Sequence, residues 1–135
     1  MALLLLLALQ DIPFERIPKA GMSMTAPPCE KLIRDEKSWK AFWELYTANT
    51  IPPRPAPKVD FAAESVVAVV WGRKPGGGFV VDITRIVREG DVLLVHVLRR
   101  NPPRGAGTTA AVEEPAVVVR AKLPDLPLKF VDAKP

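Results

Sequence analysis

The chain is poor in the residues that build most catalytic and metal centres. Its single cysteine, Cys29, rules out an internal disulfide and a multi-cysteine metal site. Its single histidine, His96, falls short of the two or three His or Cys ligands that a zinc centre takes. Ser23, Ser38 and Ser65 lie in separate segments, and none has the glycine flanks of a nucleophile elbow. Gly76-Gly77-Gly78 is not followed by the Lys-Ser/Thr and helix of a phosphate-binding loop. No nucleophile set, metal or cofactor is therefore expected, and the chain is read as non-enzymatic. Asparagine occurs twice (Asn49, Asn101) and glutamine once (Gln10), a scarcity of labile amides that fits a heat-adapted source.

Long apolar runs are also missing. Residues 2–9 are uninterrupted Ala and Leu, but eight residues fall well short of the roughly 20 that cross a bilayer. The run has the length of the apolar core of a secretory signal, although no basic residue precedes it. Residues 1–10 are read as the remnant of such a signal, cut near Gln10 with small Ala8 before it, and residues 11–135 as one domain. An extracytoplasmic location follows as an expectation. The competing reading makes the run a buried element of the domain itself.

Proline is plentiful, 15 in 135 residues, against a usual share of about 5%. It gathers between apolar runs, as in Ile51-Pro52-Pro53-Arg54-Pro55-Ala56-Pro57. One helix stands out. Asp35 is a good N-cap, and Trp39, Phe42, Trp43 and Tyr46 follow at i, i+3, i+4 and i+7, an aromatic stripe read as core. The helix must end before Pro52.

The rest reads as strands. Ile12, Phe14 and Ile17 supply a first one, and Leu32-Ile33 a short second. Ser65 to Trp71 is a β-branched run fit for burial on both faces. Phe79 to Val87 and Val92 to Leu98 follow, joined at Glu89-Gly90-Asp91, so that 65–98 reads as a meander of two hairpins. Ala110 to Val112, Val117 to Ala121 and Leu128 to Val131 complete the set. The expected fold is β-rich α+β: an antiparallel sandwich or partial barrel of about six strands, with the helix over one face or end.

Two loops hold candidate binding residues. Lys74, Pro75, Gly76, Gly77, Gly78 and Phe79 form a glycine-rich turn flanked by aromatics. Arg99, Arg100 and Arg104 lie in a segment, 99–109, that reads as loop. With Arg85 and Arg88 they make five arginines over residues 85–104 against Glu89 and Asp91, a set suited to phosphate or an acidic partner; the plainer reading is a solvated face. A Cys29–His96 pair is the one nucleophilic combination available, and nothing local supports it.

From Trp39 onward the sequence resembles the PrcB-like domain family, the protease complex subunit PrcB family. Trp39 and Trp43 are similar to its helix tryptophans, Val59-Asp60-Phe61 to its Pro-x-Val-Asp-Phe entry, and Val66 to Gly72 to its central strand. Arg73 to Phe79 resembles its Arg-Pro-Thr-Gly-Gly-Tyr loop, with Gly76 for Thr and Phe79 for Tyr. Val81-Asp82-Ile83-Thr84, Glu89-Gly90-Asp91, Pro115 and Val117-Val118-Val119 continue the order, so the resemblance spans about residues 30–131. Where many members carry a Pro-Gly-x-x-Cys loop, this chain has Pro102-Pro103-Arg104-Gly105-Ala106-Gly107. The resemblance implies a non-catalytic, secreted or envelope-attached interaction domain, its partner a protein and in the namesake a surface protease. Residues Lys74 to Phe79 also share a Pro-x-x-Gly-Phe skeleton with the loop of chagasin-like peptidase inhibitors. An inhibitor of that type, or a small-ligand or polyanion binder, is the alternative.

Overall fold

A computed structural model describes residues 9–18, 27–47, 55–74, 77–103 and 115–133. In chain order these form β1 (Gln10–Asp11), β2 (Phe14–Arg16), β3 (Cys29–Ile33), α1 (Glu36–Tyr46), β4 (Ser65–Val70), β5 (Val80–Glu89), β6 (Val92–Arg100), β7 (Ala116–Ala121) and β8 (Leu128–Asp132). The expected strand at 110–112, the connector at 48–54 and residues 1–8 lie outside the described residues.

The eight strands make two four-stranded sheets, ordered β1-β5-β6-β8 and β2-β7-β4-β3. Pairing is antiparallel throughout except between β6 and β8. The architecture is an open sandwich and not a closed barrel. A third layer, α1, covers the outer face of the second sheet.

β4 explains this layering. All six of its residues are buried. Val66, Ala68 and Val70 pack towards α1, with Ile33 and Val118. Val67 and Val69 pack between the sheets, against Ile83, Ile86, Val95 and Val97. Side chains alternate faces along a strand, so a run with no polar residue needs a cover on both sides.

The expected meander is corrected here. β4 and β5 belong to different sheets, and only β5–β6 is a hairpin. The segment between them crosses from one sheet to the other, because β4 already has β3 and β7 as its two neighbours. β5 itself carries a bulge between Ile83 and Arg85. The extra residue keeps both Ile83 and Ile86 in the inter-sheet core, where strict alternation puts one of them outside.

In α1, Asp35 accepts from the Ser38 backbone N–H at 2.7 Å, and this first-turn bond holds its carboxyl below the usual range. Trp39, Phe42, Trp43 and Tyr46 are all buried, with Trp39–Trp43 and Phe42–Tyr46 ring centroids each 5.3 Å apart. The Trp39 indole N–H donates to the Pro57 carbonyl at 3.0 Å, tying the end of the proline-rich connector to the helix. The stripe is core, as the spacing requires.

Two outcomes follow. Replacing Asp35 with Ala should cost about 1 kcal/mol in urea unfolding, and Trp39→Ala about 3–5 kcal/mol. Burial pushes the Tyr46 hydroxyl up to about 12. Since the folded state favours the neutral form, its contribution is complete below the ordinary value of about 10 and is lost as pH rises through about 12. Tyr46 is the only tyrosine in the chain. Absorbance titration should therefore show one late phenol ionisation, shifted back to the ordinary value in denaturant.

Candidate functional site

The segment linking β4 to β5 sits at one end of the sandwich. Trp71 leaves β4 with its N–H bonded to the Pro115 carbonyl at 3.0 Å. Gly72 then adopts φ +102°, and a Cβ there would meet the Pro28 ring at 2.8 Å. At the far side of the crossing Gly78 adopts φ +90°, and a Cβ would meet the Pro102 Cβ at 2.8 Å. Both positions need glycine for conformation and for close approach. Gly78 thereby presses the crossing segment onto the chain leaving β6. The two loops proposed from sequence are thus neighbours, at the end formed also by Pro28 and Pro115.

An aromatic pair flanks the two glycines. Trp71 and Phe79 meet edge to face, centroids 5.8 Å apart, and both are half-buried. The Lys74 ammonium lies 4.2 Å from the Trp71 ring centre and 5.7 Å from that of Phe79. Gly77 is buried beside them, and Val80, 41% exposed, continues the surface onto β5 opposite Arg100. Pro75, Gly76 and Arg104 lie outside the described residues.

The arginines divide. Arg99 and Arg100 are the last residues of β6, which runs past the expected end at Leu98. Arg99 bridges the sheets, donating to Glu30 on β3 at 3.0 Å and to Asp132 on β8 at 3.4 Å. Arg100 is exposed. Farther down, Arg85 is paired with Asp11, whose carboxyl it holds below the usual range, and Arg88 donates to the Gly90 carbonyl. The four described arginines of the set, Arg85, Arg88, Arg99 and Arg100, are therefore not one continuous basic surface. The ion pairs of Arg99 and Arg85, and the bidentate Arg16–Asp82 pair at 3.0 and 2.9 Å, were not legible in the sequence, because their partners are 33 to 74 residues apart.

Cys29 and His96 do not meet. Cys29 packs with the helix-side core on β3. His96 is directly opposite Arg85 and beside Val131, on the other sheet. Burial raises the Cys29 thiol above its usual range, the opposite of what a nucleophile needs. At the other end of the sandwich is an open cleft of about 770 Å³, lined by Asp11, Ile12, Phe14, Glu64, Arg120 and Lys122. Its Arg120 is engaged by Glu15 and the Lys58 carbonyl.

The arrangement defines a helix-covered β-sandwich, at one end of which the chain entering β5 packs on the chain leaving β6 at Gly78 and Pro102. Comparison with known families narrows this: residues 65–122 match the family described as PrcB C-terminal. The match opens on the first residue of β4 and closes just past β7, so it contains the crossing segment and the β5–β6 hairpin. The tryptophan helix precedes it. No curated protein and no solved structure shows significant similarity to the chain.

The glycine contacts make a contrast that unfolding can read. Gly78→Ala should destabilise by roughly 1–3 kcal/mol, since both φ and Pro102 oppose it. Gly90 has φ +60° with open space around it, so Gly90→Asn should change the urea midpoint little.

Proposed function

We propose that this PrcB-like domain is a non-catalytic, extracytoplasmic protein-interaction module, and that its contact surface is the end carrying Trp71, Lys74, Gly78, Phe79, Val80 and Arg100. One observation carries the reading. Gly78 packs on Pro102, so the aromatic and glycine residues entering β5 lie against the chain that leaves β6 just beyond Arg100. Loops held rigidly by a scaffold are where binding residues concentrate, and aromatic and Arg side chains are those that anchor interfaces. The extracytoplasmic assignment rests on the leader-like apolar run at residues 2–9. The partner fits an accessory role beside a surface protease, as the PrcB resemblance implies.

A chagasin-type inhibitor is disfavoured by the position of Phe79. Its ring lies half-buried against Trp71 beneath Lys74, whereas an inhibitory wedge has to project into a peptidase cleft.

The test is comparative capture. Tagged wild-type protein and a Phe79→Ala/Arg100→Glu variant are used as bait in an envelope extract from the source cells, with melting temperature checked for both. A defined protein retained by wild type and depleted at least about tenfold with the variant, as expected when an interface anchor is lost, supports the assignment. Equal recovery of every protein by both baits contradicts it.

A further inference from the structure

Resting on that reading, we infer that the loop end receives an acidic segment of its protein partner. The charged side chains at this end divide by whether they are already neutralised. Among the described residues, three carboxylates lie near it, and arginines occupy all three: Arg99 holds Glu30 and Asp132, and Arg16 holds Asp82 through both of its oxygens. These pairs tie β3 to β6 and β8, and β2 to β5, so they serve the scaffold.

At this end, Lys74 and Arg100 have no carboxylate partner among the described residues. Lys74 lies on the rings of Trp71 and Phe79, which fix an otherwise flexible ammonium without neutralising it. Arg100 is exposed at the tip of β6, across from Val80, itself 41% exposed and adjacent to Phe79. A fixed ammonium on the Trp71–Phe79 pair, and a guanidinium opposite exposed Val80, complement side chains of Asp and Glu next to a small apolar residue.

A nucleic acid fits less well. Lys74 covers the Trp71 face that a base needs for stacking, and two free cations are few for tracking a phosphate backbone. The full chain also carries a net charge of only +4.

The experiment is an amide NMR titration of the isotope-labelled full chain with decaglutamate, and in parallel with decalysine and a single-stranded oligonucleotide. Decaglutamate at low salt should shift Trp71, Lys74, Gly78, Val80 and Arg100. Binding should weaken about two- to fivefold in each of Lys74→Gln and Arg100→Gln, and be largely screened at about 0.5 M salt. Shifts centred on Arg85, Arg88 or Arg120, an equal response to decalysine, or tighter binding of the oligonucleotide overturns the inference. So does the absence of any shift. A photo-crosslinking residue in place of Phe79 separates this from the parent reading. Crosslinks to a partner protein without any decaglutamate response leave the interaction surface standing and reject only its acidic ligand.

Discussion

The double-sided burial of β4 is the constraint on which the structure depends. Six consecutive residues without an exposed side chain cannot sit at a surface or in a two-layer fold with one wet face. The strand demands α1 on one side and the β5–β6 sheet on the other. The demand fixes where the chain goes next. Having both lateral neighbours in place, β4 must hand the chain to the other sheet, and the crossing has to be made at the strand's end. Gly72 and Gly78, both at positive φ, are the two corners of that crossing. The candidate surface is thus a consequence of how the core is layered.

The same logic explains the division of labour among the charges. The inner faces of the two sheets meet through apolar side chains, whose contacts are non-directional and set no register between layers. The ion pairs Arg99–Glu30 and Arg16–Asp82 join one sheet to the other at their rims. Both involve partly exposed side chains, so they add little stability and act chiefly as specific cross-links between strands. With those acids engaged, Lys74 and Arg100 have no carboxylate partner among the described residues at the loop end.

Much of the fold was legible in the sequence, and the reasons are local. Asp35 and the Trp39–Tyr46 stripe specify α1 within a dozen residues. The valine run of β4 declares its own burial, and Glu89-Gly90-Asp91 marks the hairpin. What stayed hidden was non-local. β1 is two residues long and gains strand character only by pairing with Arg88 and Val87. The separation of β4 from β5 into two sheets leaves no trace in either strand's pattern. At the site, the aromatic and glycine content of residues 71–79 was visible. The contacts Gly72–Pro28 and Gly78–Pro102, and the capture of Arg99 by Glu30, were not, since they join segments 24 to 69 residues apart.

The central claim is that core layering locks two loops into one fixed surface, with Lys74 lying on Trp71. Proton NMR of the free protein tests this most directly. Nuclear Overhauser contacts between Gly78 and the Pro102 ring should be present, and the Lys74 side-chain methylenes should be moved upfield by the Trp71 ring current. Random-coil shifts for Lys74 together with no Gly78–Pro102 contact would show two independent loops and contradict the account.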